Sequence, residues 1–336
     1  MSALSLVVCT YCRPLQINQL LESLINQVVP PDETLIIDGS PNRETEQIVL
    51  KFAELAAMPH LHYYRVPPEH RGLTRQRNYG IARATGNVVA FLDDDTIPES
   101  DYFAAILACF ERHPQAGGVG GYITNAVVWQ QVAAETQPAL SRFRWRNWER
   151  PEGYRWQLRK ILRLVSALPP GWIPRSGHGR PVGFLPPDGR DYRVECLMGG
   201  AAAWRRGVLN QYSFSPFFDG YGLYEDMDFC IRVAQTHPLF LCTSARLQHY
   251  HAVLGRPNAF KYGTMVVRNG WYVWRQRWAQ PGLGAGLRWW ATTIVLAGCR
   301  LANVIGGPDR YQALTEALGR AWGMVHLLWS KPLYKG

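Results

Sequence analysis

Several common signals are missing from this chain of 336 residues. No basic segment followed by a long apolar stretch stands at its start, so Leu4 to Val8 is expected to form a strand and not a signal peptide. The longest uncharged stretch of the C-terminal part, Trp289 to Cys299, falls short of the ~20 apolar residues that span a bilayer. We therefore expect no clean transmembrane helix and a location for most of the chain in the cytoplasm.

Patterns of cysteine and glycine that define common protein classes are missing as well. Seven cysteines are an odd number without repeating spacing, which argues against a disulfide framework and favours a reducing compartment. Cys9 and Cys12 form a C-x-x-C pair, for which a redox role is the minor alternative to a loop. Neither a Walker A sequence nor a glycine-rich fingerprint after the first strand is present, which excludes the commonest nucleotide-binding loops.

Apolar residues and positive charge are abundant. An apolar fraction of 47% supplies a large buried core. The formal net charge of +10 favours anionic partners such as nucleotides, phospholipid surfaces or nucleic acid. Charge alone does not choose among these partners.

Strands and helices alternate through the first hundred residues. Apolar runs predict strands at Leu4 to Val8, Glu33 to Ile37, Leu61 to Val66 and Val88 to Leu92. Helices are predicted after the first turn, with Leu15, Leu20, Leu21, Leu24 and Ile25 on one side, from Glu44 to about Ala57, and from Thr74 to about Ala84. This alternation predicts an α/β fold, with a mostly parallel twisted sheet covered by helices on both faces.

Polar residues follow three of these strands. They are Cys9-Thr10-Tyr11, Asp38-Gly39-Ser40 and Asp93-Asp94-Asp95. Ligands of parallel sheets bind outside the carboxyl ends of the strands, so we expect one shared site. Three adjacent carboxylates repel each other unless a cation or hydrogen bonds neutralise them, and alternate residues such as Asp93 and Asp95 can bind Mn²⁺ or Mg²⁺. A solvated loop is the alternative for such a triplet taken alone.

The chain changes character after this region. From about Trp129 to Pro187 it is basic and aromatic, then rich in proline and glycine, which predicts an insertion with a helix and a loop. A strand-like pattern returns from Arg193 to Ala203, and a helix is predicted near Glu225. Beyond His251 the chain is predicted to be helical and is rich in tryptophan, which suits contact with a membrane interface or packing against the domain.

The segment "RGLTRQRNYGIARATGNVVAFLDDDTIP" resembles the centre of glycosyltransferase family 2, whose members have the GT-A fold and a D-x-D signature. "LSLVVCTYCRP" is similar to the family's opening strand and turn, with Cys9 and Cys12 as departures. "TLIIDGSP" is similar to its second strand, with one of two usual aspartates missing. The resemblance implies an inverting, metal-dependent transfer of a sugar from a nucleoside diphosphate donor, of UDP or dTDP type, to a hydroxyl acceptor.

The resemblance also implies donor-binding roles for matched residues. These are Thr10, Tyr11, Arg13, Asp38, Arg71, Asp93 and Asp94. Asp38 would accept a hydrogen bond from the base and Arg71 would contact base or phosphate, since a carboxylate can accept from the N–H edge of uracil and an arginine neutralises phosphate. Asp95 is the expected metal ligand, with Asp93 as a second one.

Acceptor-side roles follow from two further segments. "GYGLYEDMDFCIRV" is similar to the family's Glu-Asp motif, which makes Asp226 the candidate general base and Glu225 an acceptor-side residue; Glu225 or Asp228 could serve as base instead. "ECLMGGAAAWRR" is similar to the acceptor-side strand and turn, where Gly199 and Gly200 let substrate approach the backbone.

A histidine near the end of the family region completes the expected metal site. "ARLQHYHAVLGR" is similar to the segment that supplies it, and the offset to Arg256 selects His249 over His251. Both histidines are expected on one face of a strand, because side chains two apart point the same way.

These expectations give three segments: a nucleotide-sugar half at 1–100, an acceptor half at 101–256 with an insertion near 130–190, and a helical tail at 257–336. The expected setting is the inner face of a membrane, in polysaccharide or glycolipid synthesis, with an acceptor that could be lipid-linked. A nucleotidyltransferase, a non-catalytic nucleotide-sugar binder and a nucleic-acid-binding protein remain alternatives; we expect no nucleic-acid partner, since the same basic and aromatic residues serve a membrane surface equally well.

Overall fold

A computed structural model describes residues 3–55, 60–133, 137–218, 220–251 and 257–332. In chain order the elements are β1 (Leu4–Thr10), α1 (Pro14–Ile25), β2 (Glu33–Asp38), α2 (Glu44–Leu55), β3 (Leu61–Arg65), α3 (Leu73–Ile81), β4 (Val88–Asp93), β5 (Thr96–Pro98), α4 (Tyr102–Arg112), β6 (Gly118–Ile123), β7 (Gln130–Gln131), β8 (Arg142–Trp145), β9 (Trp148–Pro151), α5 (Tyr154–Ile161), β10 (Asp191–Val194), β11 (Ala201–Arg205), α6 (Arg206–Leu209), α7 (Glu225–Ala234), β12 (Leu239–His249), α8 (Ala259–Arg277), α9 (Leu283–Gly306) and α10 (Arg310–Trp329).

The chain divides into two compact units. The first unit comprises Met1–Val127 and Leu185–Gly255, and the second comprises Val128–Phe184 and Arg256–Gly336. The basic and aromatic insertion thus shares a unit with the C-terminal helices. The predicted division into nucleotide-sugar, acceptor and tail segments concerns function, and it stays a prediction.

The first unit is built on a nine-stranded sheet in the order β10-β12-β6-β11-β4-β1-β2-β3, with β5 paired to β12. β3, β2, β1 and β4 are parallel to one another, which confirms the predicted α/β architecture. The remainder is mixed, because β11 runs antiparallel to both β4 and β6. The single strand-like segment from Arg193 to Ala203 is in fact the end of β10 and the start of β11, separated by the turn that contains Gly199 and Gly200.

The buried face of helix α1 differs from the predicted one. Ile17, Leu20, Leu21 and Leu24 form its buried face. Leu15 and Ile25 are exposed, contrary to the prediction that they join that face. Leu15 precedes Ile17 by two residues and therefore lies on a different side of a helix with 3.6 residues per turn. The predicted end of the next helix near Ala57 lies outside the described residues.

The second unit combines a small sheet with helices. Its three strands have the order β7-β9-β8, and they were missed by the prediction of a helix and a loop. The turn of β8 and β9 is carried by Arg146 with a φ of 55°, and short basic and aromatic strands of this kind lack a clear two-residue apolar alternation. Within the described part of the chain, no helix combines the length and hydropathy needed to cross a membrane.

Candidate active site

Three carboxylates extend from the end of β4. Asp93 is the last residue of the strand, and its backbone N–H donates to the carbonyl of Gly200 at 3.2 Å. Asp94 and Asp95 are buried, whereas the side chain of Asp93 is 36% exposed. The strand end therefore presents one accessible carboxylate and two that are held by neighbours.

Asp94 is held by the end of β1 and the start of α1. Thr10 Oγ1 donates to Asp94 Oδ2 at 2.8 Å, and Arg13 donates through an Nη to Asp94 Oδ1 at 2.7 Å. Arg13 also lies 3.6 Å from Asp95 Oδ2. Burial raises the pKa of Asp94 to about 6, although Arg13 and Thr10 favour its charged form. Asp94 thus joins two strand ends, and its oxygens already have partners.

Asp95 faces His249, at the end of β12. His249 Nε2 lies 2.9 Å from Asp95 Oδ1 and 3.9 Å from Asp93 Oδ2. Asn125 fixes the strand end, accepting from the His249 N–H at 3.0 Å and donating to its carbonyl at 3.1 Å. Burial disfavours the charged imidazole, but the hydrogen bond to Asp95 and the nearby carboxylates raise the pKa of His249 overall.

This acidic and histidine cluster has the composition of a divalent metal site. One ligand atom from each of Asp93, Asp95 and His249 lies within 4.8 Å of the other two. Carboxylate oxygens with one imidazole nitrogen suit Mn²⁺ and tolerate Mg²⁺, and three protein ligands leave positions for a substrate. The residues present therefore fit the ion that the sequence implied.

The alternative histidine lies close by but not on the strand. β12 ends at His249, and His251 has a φ of 51°, so the expectation that both share one strand face is wrong. Their rings are nevertheless 4.0 Å apart between centroids. Arg256, from which the offset was counted, lies outside the described residues.

The predicted base-binding residues occupy the end of β2 and the loop before α3. Asp38 is fully buried and accepts from the Ser40 N–H at 2.8 Å and from the Tyr63 hydroxyl at 2.7 Å. The Arg71 Nε is buried and has no hydrogen-bond acceptor among the residues described. Tyr11 is 46% exposed beside the end of β1.

The candidate base lies at the start of α7. Asp226 Oδ2 accepts from the Gly199 N–H at 3.2 Å, and its Oδ1 accepts from the Met227 N–H at 2.8 Å. Burial raises the pKa of Asp226, while Arg77 and the two backbone donors oppose the shift. The alternative base Asp228 is buried and bound to Arg232 at 2.8 Å.

Glycines connect the candidate base to the acidic cluster. A Cβ on Gly200 would lie 2.0 Å from Asp93 Cγ, and a Cβ on Gly199 would lie 2.8 Å from Glu225 Oε1. A side chain at either position would force the facing side chains or the turn itself to move. The expectation of close approach at this turn therefore has a structural counterpart, although what approaches here is the protein's own acidic residues.

Arg77 is a site residue that the sequence analysis did not select. It is buried on α3, forms an ion pair with Glu225, and lies 3.6 Å from Asp93 Oδ1. Burial raises the pKa of Glu225 to about 8 despite this partner. Arg77 lies within the segment that resembles the family, but nothing in the sequence distinguishes it from Arg75 of the same helix, which is only half-buried.

Together, the sheet with parallel strands at one end and the acidic cluster at their carboxyl ends define a GT-A-type fold. The family model described as Glycosyl transferase family 2 matches residues 5–167. Residues 5–167 therefore carry the sequence pattern of glycosyltransferase family 2.

Relatives and solved structures agree with this assignment. The chain is 31% identical over 121 residues to a glucosyl-dolichyl phosphate glucuronosyltransferase of Haloferax volcanii, a match that covers 35% of this chain and 37% of the relative. The curated relatives that it matches are covered over 29% to 38% of their own length.

Two solved structures share the fold. One is the mannosyltransferase PcManGT from Pyrobaculum calidifontis in complex with GDP-Man and Mn²⁺, at a TM-score of 0.56 and 16% identity, with 98% of this chain and 88% of that chain covered. The other is GalNAc-T7 with UDP, GalNAc and Mn²⁺, at a TM-score of 0.52 and 15% identity, with 86% of this chain and 53% of that chain covered.

Proposed function

We propose that this enzyme transfers a sugar, with inversion at the anomeric carbon, from a nucleoside diphosphate donor to a hydroxyl group. One observation carries the proposal. The Gly199-Gly200 turn holds Asp226 through one residue and lies against Asp93 through the next, so a candidate base and a candidate metal cluster both contact one dipeptide.

The donor would lie along the ends of β1, β2 and β4. Asp38 would face the base and Arg71, whose Nε is buried without an acceptor among the described residues, would face base or phosphate. Thr10 and Arg13 hold Asp94 in place, and Tyr11 is exposed beside them. A uracil or thymine base matches a carboxylate acceptor, so we favour a UDP or dTDP donor.

Asp93, Asp95 and His249 would hold Mn²⁺ or Mg²⁺. When bound, such an ion supplies Lewis-acid stabilisation of the charge on the departing diphosphate. The exposure of Asp93 leaves this carboxylate accessible from the substrate side, whereas Asp95 is oriented by His249. Two solved structures of the same fold contain Mn²⁺, which agrees with this assignment.

Asp226 would act as the general base. It accepts the proton of the acceptor hydroxyl while that oxygen bonds to the anomeric carbon, and the bond to the diphosphate oxygen breaks with its electron pair leaving on the nucleotide. Attack from the face opposite the leaving group inverts the carbon. A raised pKa makes Asp226 a stronger base than an exposed aspartate, provided that it remains ionised.

Thermal shift with nucleotide sugars tests donor binding. A panel of UDP, dTDP and GDP sugars is added with and without Mn²⁺, and a bound donor raises the melting temperature by mass action. We expect Asp95→Ala to lose the Mn²⁺-dependent shift. Asp226→Asn should keep it and lower the release of nucleoside diphosphate by about 100-fold or more.

Asp228→Asn is the matched control for the base. If it abolishes turnover while Asp226→Asn does not, the assignment of the base is wrong. Release of pyrophosphate from an NTP with a sugar phosphate would instead identify a nucleotidyltransferase. If donors bind but neither a lipid extract nor polysaccharide supports turnover, the chain is a non-catalytic nucleotide-sugar binder.

Exposed residues of the second unit suggest what kind of surface carries the acceptor. The outward positions of α9 and α10 are apolar and exposed; they are Leu283, Leu287, Ile294, Leu301 and Ile305 on α9, and Tyr311, Leu318, Trp322, Leu328 and Trp329 on α10. The single acidic residue of these two helices, Glu316, is buried, whereas Arg288 and Arg310 are exposed. Asp309, at the start of α10, is the exposed acid next to these helices. An apolar face whose helices carry exposed cations and no exposed acid within them matches an anionic bilayer surface.

We therefore propose peripheral attachment to the inner face of a membrane and an acceptor that is lipid-linked, in glycolipid or polysaccharide synthesis. One relative is named for a dolichyl phosphate substrate, which is consistent with this setting.

Leu287→Glu with Ile305→Glu should weaken pelleting with anionic vesicles by about tenfold or more. Leu55→Glu, at an equally exposed leucine of the first unit, is the control. Equal pelleting of both variants would contradict the assignment of this face.

A further inference from the structure

A second cluster of metal-binding side chains lies in the first unit, formed by residues that the proposed active site does not use. Asp191 on β10 lies directly opposite Cys242 on β12 in the antiparallel register. α4 packs on β12 and brings Cys109 to the same place. One ligand atom from each of these three residues lies within 4.8 Å of the other two. Both cysteines are fully buried and unoxidised.

A histidine stands beside this trio. His113 follows Cys109 by four residues, which places both on one side of the end of α4. Its Nε2 lies 3.0 Å from Asp191 Oδ2, and its ring stacks on Phe240 at 3.9 Å between centroids. The stacking orients the ring, and the imidazole thus lies next to a cluster of two sulfurs and one carboxylate.

The surrounding charge suits a cation with two thiolates. Arg112 donates through Nε and an Nη to the Asp191 carboxylate at 2.8 and 3.0 Å, and the same Nη lies 3.9 Å from Cys242 Sγ. Two thiolates, one carboxylate and a divalent ion sum to a charge of about −1, which the guanidinium neutralises. Arg112 would thus orient the carboxylate from outside, as outer partners of metal ligands do.

We propose that Cys109, His113, Asp191 and Cys242 form a tetrahedral site for Zn²⁺. Sulfur and imidazole ligands favour Zn²⁺ over the Mn²⁺ and Mg²⁺ that carboxylates prefer. Binding releases the two thiol protons to solvent and forms two zinc–sulfur bonds. Ligand atoms around tetrahedral zinc lie about 3 to 4 Å apart, so Cys109, Asp191 and Cys242 need only small side-chain movements. His113 lies outside this group of three and would turn towards it to serve as the fourth ligand. The ion would join the short strand β10 to β12 and α4, a structural role.

Cobalt provides a test that separates this site from the proposed active site. The full chain is freed of metal by chelation and titrated with Co²⁺, whose thiolate complexes absorb in the near ultraviolet by charge transfer. Asp93, Asp95 and His249 supply no sulfur and cannot produce this band. We expect the band to saturate at one equivalent, to disappear on addition of Zn²⁺, and to persist in Asp95→Ala, so the two metal assignments can fail separately.

Variants locate the site. Cys109→Ser and Cys242→Ser should each remove most of the band, and Asp191→Asn should weaken Co²⁺ binding by about tenfold or more while both sulfurs remain. Cys230→Ser, at a buried cysteine elsewhere in the same unit, should leave the band unchanged.

A measurement on the unaltered chain covers the case in which a serine variant fails to fold. Protein purified from cells supplied with zinc should contain one Zn²⁺, and a mercurial reagent should release it only when Cys109 and Cys242, two of the seven thiols, react. Absence of the charge-transfer band, its persistence in Cys109→Ser, or a Cys109–Cys242 disulfide in unreduced peptides would each overturn the proposal.

Discussion

The first unit buries paired charges at its candidate active site, whereas the second unit buries aromatic side chains at its centre. At the end of β4 in the first unit, Asp94, Glu225 and Arg77 are buried with their charges paired. At the centre of the second unit, tryptophans are buried against each other, and the outward faces of α9 and α10 are apolar. The first arrangement depends on the position of single atoms, since a buried charge needs its partner, whereas the second depends on the volume of apolar groups.

The largest expected effect comes from removing a buried tryptophan side chain from the second unit, which tests whether that unit depends on apolar volume. Trp289 is 2% exposed and stacks on Trp274, with ring centroids 5.1 Å apart and planes 11° apart. Trp289→Ala should lower the free energy of unfolding by about 3–5 kcal/mol, because the lost apolar contacts leave a cavity. Chemical unfolding followed by tryptophan fluorescence measures the change.

Trp322→Ala is the matched control, since Trp322 is 48% exposed on α10. Its unfolding free energy should stay within about 1 kcal/mol of the wild-type value. Equal losses for the two variants would mean that the tryptophan cluster is not the apolar centre of this unit.

Features that depend on the local sequence pattern could be predicted from the sequence. The ends of β1, β2 and β4 lie close together because the carboxyl ends of neighbouring parallel strands meet at one edge. His249 reaches the acids after β4 by a different route, because β12 pairs with β5, the strand that directly follows them. The small sheet of β7, β8 and β9 was missed, because short mixed strands carry neither a two-residue nor a 3.6-residue period. The exposure of Leu15 was missed for a related reason, since leucine itself does not specify a helix face.

Arg77 illustrates what local pattern cannot supply. Its partners Glu225 and Asp93 are distant in the chain, and one of them comes from α7. Only the folded sheet shows that this arginine, and not its neighbour Arg75, is enclosed. The same holds for Cys109, Asp191 and Cys242, whose proximity arises from three separate elements.

A smaller effect tests whether turnover depends on the exact positions of single atoms in the first unit. Gly200→Ala adds one carbon at 2.0 Å from Asp93 Cγ, which forces Asp93 or the turn to move. Because misplacing a catalytic group by about 1 Å costs roughly 100-fold in rate, we expect a loss of about that size in nucleoside diphosphate release.

Gly207→Ala tests whether any glycine replacement in this unit has the same effect. A Cβ at Gly207 meets nothing within 4 Å, so turnover should be unchanged. A fully active Gly200→Ala enzyme would show that the distance between the turn and Asp93 is not important for the reaction.

The smallest effect concerns a polar group among the tryptophans. His178 Nε2 lies 3.0 Å from Thr293 Oγ1, and its ring centroid is 5.5 Å from that of Trp289. Burial lowers the pKa of His178 to about 3, and the Arg159 charge adds to this effect. The unfolded chain binds a proton at His178 below its ordinary pKa of 6.5, whereas the folded chain does not do so until about pH 3.

Stability from this residue is therefore fully present above pH 6.5 and is lost as the pH falls from there towards 3. The loss is at most about 1.4 kcal/mol for each pH unit. His178→Gln keeps a polar side chain that does not titrate, so its unfolding free energy should fall less steeply than that of the wild type between pH 6 and pH 4. Parallel pH profiles for the two proteins would mean that His178 is charged within the folded unit, and that its tryptophan surroundings tolerate an ion as readily as the rim of the first unit does.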